Sequence, residues 1–237
     1  MIKPVWVTES DSLALADKLA DDVAAHLQHS IEINDAASLV VSGGSTPLPF
    51  FKALSHQALR WGKVKVTLAD ERWVPYASDD SNERFVRENL LVDQASDARF
   101  QSLYVDGAEP EEALPKLEAG LSTVARPFSV VILGMGGDGH TASLFPEAAE
   151  LDDAMALDGT ASLAVMRPSS VSQTRITLTR PALLDTEHLI VHITGDKKRS
   201  LLEDVLVAVA NDCGGDYLPI GRFFEDNNRP VTVYWSP

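Results

Sequence analysis

The sequence has a single cysteine, Cys213, among its 237 residues. One cysteine excludes an intrachain disulfide, which fits a reducing compartment. No stretch approaches the roughly 20 consecutive apolar residues that a membrane-spanning helix needs, and no secretory signal is visible at the start of the chain. We therefore expect a cytoplasmic protein with no membrane partner.

Positive charge is also scarce. Twenty Lys and Arg residues stand against 35 Asp and Glu, which gives a formal net charge of −15. Such a surface repels nucleic acid and anionic lipid, so we expect no nucleic-acid partner. An anionic substrate would need a local cluster of cationic side chains and backbone N–H groups. Otherwise the composition, 45% hydrophobic and 23% charged, is that of a globular protein, and we interpret residues 1–237 as one domain.

Several catalytic and ligand-binding motifs are missing. There is no HExxH, no paired cysteines and no EF-hand loop, so the sequence predicts no metal site. It also lacks the GxSxG turn of a nucleophilic serine and the GxxxxGK[ST] loop that binds nucleotides. These absences leave water as the nucleophile of a hydrolytic reaction.

Strand-like segments alternate with helix-like segments along the whole chain. This alternation predicts an α/β fold, Rossmann-like, with a mainly parallel sheet covered by helices on both faces. In such sheets ligands bind beyond the carboxyl ends of the strands. The strands are predicted at 38–41, 64–68, 128–133, 174–179, 188–194 and 231–235. The helices are predicted at 12–27 (N-cap Ser10 or Ser12), from 46, at 85–91, 110–124 and 196–209.

A glycine-rich turn follows the first of these strands. It contains Gly43, Gly44, Ser45 and Thr46 and precedes a predicted helix. Glycines allow a ligand to approach the backbone, and N–H groups at a helix N-terminus bind anions. The turn is therefore a candidate phosphate or sugar site. The alternative is a tight turn in which Ser45 or Thr46 caps the helix.

Three consecutive charges, Asp70, Glu71 and Arg72, follow the next predicted strand. An arginine can hold a phosphate or carboxylate at two points. Asp70 and Glu71 can orient that arginine, or bind a sugar hydroxyl or a proton. The alternative is a cluster of ion pairs on the surface.

The segment 134–146, GMGGDGHTASLFP, contains a formal GxGxxG. Pro146 permits only a short helix after it, and the segment is not in a first βαβ unit, so we reject a dinucleotide site. His140, in a polar loop, can accept a proton from water at cellular pH, and Asp138 can orient its ring. The other histidines are weaker candidates, including His188 and His192, which share one face of a strand.

Cationic side chains at element ends are candidates for an anion site in so acidic a chain. They are Lys198 in a strand–helix turn, Arg175 at the start of a strand, and Arg222 after LPIG at 218–221. For each of them, a solvated surface position is the alternative.

In this order the segments resemble the 6-phosphogluconolactonase family over nearly the whole chain. The similar pieces are SGGSTP at 42–47, DERWVP at 70–75, SNERFVRENLL at 81–91, GMGGDGHTASLFP at 134–146, RITLT at 175–179, TGDKK at 194–198 and LP at 218–219. The resemblance implies an α/β domain of the kind shared with amino-sugar-phosphate deaminases and ribose-5-phosphate isomerases. It implies hydrolysis of 6-phospho-D-glucono-1,5-lactone to 6-phosphogluconate in the oxidative pentose phosphate pathway, without a metal or organic cofactor.

By position in these motifs, the resemblance makes His140 the base, with Asp138 and Arg72 beside it, and Lys198 the basic residue of the G-x-x-K turn. The substrate-binding set is completed by Gly43, Gly44, Ser45, Thr46, Asp70, Arg175 and Arg222. The partner is a small sugar-phosphate lactone, and the protein is a monomer or a homodimer.

Two other functions remain open at this point. Glucosamine-6-phosphate deaminases share SGGSTP and a GDGH-type loop, but their DE pair precedes an aromatic residue and their histidine loop continues toward an IAFNEP-like run. Here Arg72 follows the pair and the loop continues TASLFP, which favours the lactonase. A non-enzymatic sugar-phosphate sensor of the kind found in transcription regulators would need a DNA-binding segment, and no basic helix-turn-helix candidate is present.

Overall fold

The computed structural model describes residues 3–211, 217–225 and 230–237, so Cys213 lies outside the described residues. Within these ranges there are ten strands and seven α-helices. The strands are β1 Val5–Thr8, β2 Ala37–Val41, β3 Val64–Leu68, β4 Asp70–Arg72, β5 Arg99–Gln101, β6 Phe128–Leu133, β7 Leu163–Met166, β8 Arg175–Leu178, β9 Thr186–Thr194 and β10 Thr232–Ser236. The helices are α1 Ser12–Asn34, α2 Leu48–Ser55, α3 Asn82–Asn89, α4 Pro110–Leu121, α5 Leu151–Met155, α6 Arg180–Leu184 and α7 Asp196–Ala210.

Seven strands form one sheet in the order β1-β10-β9-β6-β2-β3-β5, and every neighbouring pair is parallel. Every residue of the central strands β2 and β6 is buried. Because successive side chains of a strand point to opposite faces, both faces of the sheet centre are covered. The predicted α/β class with a mainly parallel sheet is confirmed.

The direction of winding reverses between β2 and β6. From β2 the chain adds β3 and β5 on one side, and β6, β9 and β10 extend the sheet on the other. The connections that leave the carboxyl ends of β2 and β6 therefore diverge and open a crevice, where ligands of such sheets bind. The two glycine-rich segments of the sequence, 42–47 and 134–146, are the loops that follow these two strands.

A second, antiparallel sheet has the order β4-β8-β7. Ala69 joins the two sheets, because its N–H donates to the Val41 carbonyl and its own carbonyl accepts from the Leu178 N–H, both at 2.8 Å. Asp70–Arg72, which the sequence places directly after a predicted strand, forms a short strand of its own. The strand predicted at 174–179 is present as β8 and pairs in this small sheet. Local patterns do not reveal which strands pair.

Several element bounds also differ from the sequence-based expectations. The first helix continues to Asn34 and ends at Asp35, which has a φ of 54°. Its N-cap is Asp11, whose carboxylate accepts from the N–H groups of Leu13 and Ala14, rather than Ser10 or Ser12. The elements β1, β5, β7, α5 and α6 were not predicted, since they are only three to five residues long. No helix in the described part of the chain has the length and apolar character needed to cross a membrane.

Candidate active site

A cavity of about 270 Å³ lies in the crevice between the ends of β2 and β6. This is slightly below the usual size range of small-molecule pockets, roughly 300–1,000 Å³, and suits a small metabolite. Nine of the predicted site residues line it: Gly43, Gly44, Ser45, Thr46, Asp70, Arg72, His140, Arg175 and Lys198. Asn82 and His192 also line it.

The turn after β2 brings backbone N–H groups to the cavity. Gly44 has a φ of +98°, a conformation that side chains disfavour. A Cβ on Gly43 would lie only 1.9 Å from Oδ1 of Asn82, so this position needs glycine. Neither Ser45 nor Thr46 caps α2; its N-cap is Pro47, and no side-chain cap hydrogen bond is present among the described residues. The N-terminus of α2 therefore remains available to an anion.

The loop after β6 holds His140 in place. Nδ1 of His140 lies 2.6 Å from Oδ1 of Asp138, which also accepts from the His140 backbone N–H at 3.2 Å. The ring stacks on Phe145 with 4.1 Å between centroids. Gly136 closes the loop, since its N–H donates to the His140 carbonyl at 2.8 Å. With Nδ1 committed to the carboxylate, Nε2 is the nitrogen that can accept a proton.

Arg72 and Arg175 are directly opposite each other in the pairing of β4 with β8. Nη1 of Arg175 lies 3.8 Å from Oδ2 of Asp70, and the Ser143 hydroxyl donates to the same oxygen at 2.5 Å. Nη1 of Arg72 donates to the carbonyl of Asp80 at 2.8 Å. The buried Nε atoms of both arginines have no hydrogen-bond partner in the described residues. Two adjacent guanidinium groups in the lining of the cavity are suited to an anionic ligand.

Glu71 and Asn82 link this strand pair to α3. The Glu71 carboxylate accepts from the backbone N–H groups of Arg72, Asn82 and Glu83, each at 2.7 Å. Burial raises the pKa of Glu71 to about 7, although these hydrogen bonds oppose the rise. Asn82 donates through Nδ2 to the Asp70 carbonyl at 2.9 Å. Asn82 was not predicted as a site residue, although it lies in the segment SNERFVRENLL at 81–91.

Lys198 and His192 close the cavity on the β9 side. Lys198 lies in the first turn of α7, and burial lowers its pKa. His192 is only 5% exposed. Burial, and secondarily the charge of Lys198, lowers the pKa of His192 to about 4. His192 was predicted to be one of the weaker candidates, because it lies in a strand without a glycine-rich context.

Two predicted residues do not line the cavity. Asp138 lies behind His140 and contacts it directly. Arg222 lies in the short 3₁₀ helix Pro219–Phe223, with its guanidinium over Tyr217 and Nη1 3.4 Å from Oε1 of Glu225. This helix supports the histidine loop, because the Ile220 N–H donates to the Gly139 carbonyl. Arg222 therefore contacts Tyr217 and Glu225 and does not line the cavity.

The arrangement combines a histidine–carboxylate pair, three cationic side chains and backbone donors around one small cavity. In the residues that the structure describes, no group of three or more His, Cys, Asp or Glu side chains is placed to hold a metal ion. The site can therefore bind an anionic molecule and remove a proton from a water molecule beside it.

Comparison with known proteins gives a consistent result. Residues 10–234 match the model of a family described as glucosamine-6-phosphate isomerases/6-phosphogluconolactonase. The chain is 41% identical over 227 residues to a 6-phosphogluconolactonase of Rhizobium meliloti (strain 1021), covering 94% of this chain and 95% of the relative. The corresponding relative of Pseudomonas aeruginosa is 39% identical, covering 98% of this chain and 94% of its own.

Solved structures agree. A 6-phosphogluconolactonase from Shewanella baltica superimposes with a TM-score of 0.93 at 39% identity, covering 99% of this chain and 98% of that one. A monomeric glucosamine-6-phosphate deaminase has a TM-score of 0.76 at 15% identity, covering 98% of this chain and 97% of that one. At that identity the second likeness shows a common fold alone.

Proposed function

Because this chain belongs to the glucosamine-6-phosphate isomerase/6-phosphogluconolactonase family, we propose that it hydrolyses 6-phospho-D-glucono-1,5-lactone to 6-phospho-D-gluconate with His140 as the general base. The chain is an enzyme of the 6-phosphogluconolactonase type, a hydrolase. The reaction, the second step of the oxidative pentose phosphate pathway, is proposed to occur in the cytoplasm. We also propose that residues 1–237 act as one domain, in a monomer or a homodimer, without a metal or organic cofactor.

The observation that carries the mechanism is the 2.6 Å contact between His140 and Asp138 at the edge of a cavity lined by cationic side chains. Asp138 accepts a hydrogen bond from the Nδ1–H group and fixes the ring. The lone pair of Nε2 then remains available for a proton from water. Water then attacks the lactone carbonyl carbon, C1, while Nε2 takes its proton. The ester bond between C1 and the ring oxygen breaks, and the ring oxygen takes the proton from the imidazolium.

Negative charge builds on the carbonyl oxygen as water attacks, and fixed donors stabilise it. Arg72 and the backbone N–H groups of the 134–140 loop are the candidates. Arg72 has a buried Nε without a partner in the described residues and lines the cavity together with His140. Asp70 is held by Ser143 and faces Arg175, so it orients that guanidinium and can accept from a sugar hydroxyl.

The phosphate is held away from the reacting carbon. The uncapped N-terminus of α2, reached through Gly43, Gly44, Ser45 and Thr46, supplies backbone donors. Lys198 or Arg175 supplies the charge that overcomes the net charge of −15. Binding energy from this remote group fixes C1 against the attacking water.

The test is a direct assay. Purified protein is mixed with freshly prepared 6-phosphogluconolactone, and acid release is compared with the spontaneous rate. The same preparation is assayed for ammonia release from glucosamine-6-phosphate. Acceleration of lactone opening without ammonia release supports the proposal; ammonia release with lactone opening at the spontaneous rate refutes it.

A further inference from the structure

We propose that His192 is a further substrate-binding residue, whose ring N–H donates a hydrogen bond to the phosphate group beside Lys198. The identity of the phosphorylated substrate rests on the function proposed above. His192 lies in β9, which neighbours β6 in the sheet. Its ring lines the cavity together with Lys198 and the turn that leads into α2.

The ring of His192 is almost completely buried. It is 5% exposed, and neither of its nitrogens has a hydrogen-bond partner among the residues that the structure describes. The ring lies edge-on to Phe50, with 6.2 Å between the ring centroids. It also experiences the positive charge of Lys198. A neutral imidazole carries one N–H donor and one acceptor, and leaving both unpaired in a buried position costs free energy. Neither nitrogen is among the fully buried polar atoms without a partner, and His192 lines the cavity, so a molecule bound there can supply the partner.

The positively charged groups around the ring favour an anion as that partner. Phe50, against which the ring lies, belongs to the first turn of α2, and Lys198 belongs to the first turn of α7. The amino ends of both helices carry partial positive charge, and α2 has no side-chain cap. The residues leading into α2, the ammonium group of Lys198 and one N–H donor of His192 thus line the same cavity. A phosphate group, with several acceptor oxygens and negative charge, matches this set.

The protonation state of the ring fits a donor role. Burial and the ammonium of Lys198 lower the pKa of His192 to about 4, so the ring is neutral at neutral pH. It therefore offers a directional hydrogen bond, while Lys198 supplies the charge. The role of His140 differs, since its Nδ1–H group donates a hydrogen bond to Asp138 and its other nitrogen serves as the base.

Phosphate binding can be measured without catalysis. Dissociation constants for inorganic phosphate and for 6-phosphogluconate are determined by calorimetry for the wild type, His192→Leu and His192→Gln. We expect His192→Leu to weaken both ligands by about 10- to 100-fold, the range for a lost hydrogen bond to a charged group. His192→Gln retains an N–H donor and should stay within about threefold of the wild type.

The matched control is His188→Leu, the same substitution on the same face of the same strand, outside the cavity. It should leave both dissociation constants unchanged. If His192→Leu binds phosphate as tightly as His188→Leu does, the proposal is overturned. If phosphate binding depends on His192 but the wild type opens no lactone, the anion site stands and the proposed function fails.

A measurement on the wild type covers the case in which His192→Leu does not fold. The protein is labelled with ¹⁵N in its histidine rings, and the His192 signals are assigned with His192→Gln. Addition of inorganic phosphate should shift the His192 ring N–H signal by several tenths of a ppm or more while leaving His26 and His56 in place. Ring signals of His192 that stay unchanged at saturating phosphate overturn the proposal.

Discussion

Nδ1 of His140 lies 2.6 Å from Oδ1 of Asp138, and the same carboxylate oxygen accepts the backbone N–H of His140. One carboxylate therefore fixes both the tautomer of the ring and the turn of the chain that carries it. We expect His140→Ala to lower kcat by about 10²- to 10⁴-fold, the usual contribution of a general base. Asp138→Asn should lower kcat less and leave KM nearly unchanged, because the ring remains but its orientation is lost.

Both variants are assayed by acid release from 6-phosphogluconolactone with the spontaneous reaction subtracted. Near wild-type turnover of His140→Ala would show that the base is another residue, and Asp70 or Glu71 would be the next to test.

Gly136 gives a second test of the position of His140. A Cβ on Gly136 would lie 2.3 Å from Cε1 and Nδ1 of the His140 ring and 2.6 Å from Oδ1 of Asp138. Gly136→Ala must displace this pair, and a misplacement of about 1 Å can cost about 10²-fold in rate. Gly137→Ala is the matched control in the same loop, since a Cβ there meets nothing within 4 Å. Equal kcat values for the two variants would contradict the assigned position.

Phosphate recognition should dominate substrate choice, because the protein's own charge of −15 repels an anion. We expect gluconolactone without the phosphate to have a far lower kcat/KM than the phosphorylated lactone. Lys198→Ala and Arg72→Ala are measured on both. Loss of a residue that binds the phosphate should narrow the difference in kcat/KM between the two lactones. Loss of a residue that stabilises the carbonyl oxygen should lower kcat/KM for both lactones by the same factor. Equal efficiency of the wild type on both lactones would refute the phosphate anchor.

The buried ring of His192 should make folding stability depend on pH. Its pKa is about 4 in the folded protein against 6.5 in the unfolded chain. Between these values the unfolded state binds a proton that the folded state does not, so stability falls as pH falls through this window. From pH 7 to pH 5 this contribution lowers the free energy of unfolding by about 2 kcal/mol.

Urea unfolding at both pH values measures this effect. The His192→Leu variant loses this titrating group, so its free energy of unfolding should fall by about 2 kcal/mol less than that of the wild type over the same interval. An identical fall in the two proteins would contradict the assignment of this pH dependence to His192.

Lactone opening should proceed unchanged in the presence of a chelator. The described residues offer no cluster of metal ligands, and the proposed steps use only His140, water and fixed donors. Dialysis against EDTA followed by the same assay checks this. Loss of activity that a divalent ion restores would show that a metal takes part.

The sequence by itself determined the fold class and indicated most of the predicted site residues that line the cavity. The alternation of apolar strands with amphipathic helices requires crossover connections, and therefore a parallel sheet. Glycines and charged residues at strand ends indicated the segments around Gly43, Arg72 and His140. At such positions glycine lets a ligand approach the backbone, arginine can bind an anion and histidine can accept a proton. These are local properties, and a local pattern is sufficient to reveal them.

Only the tertiary structure decided which segments meet. It placed Asp70–Arg72 and Arg175 side by side through pairing in a second sheet, and it placed Arg222 against Tyr217 and Glu225 and not in the lining of the cavity. It also brought His192 to the cavity, which strand alternation alone does not predict. Pairing partners, and the face of a strand that meets a cavity, depend on contacts between residues far apart in the chain, and the free energy of those contacts is not encoded in any single segment.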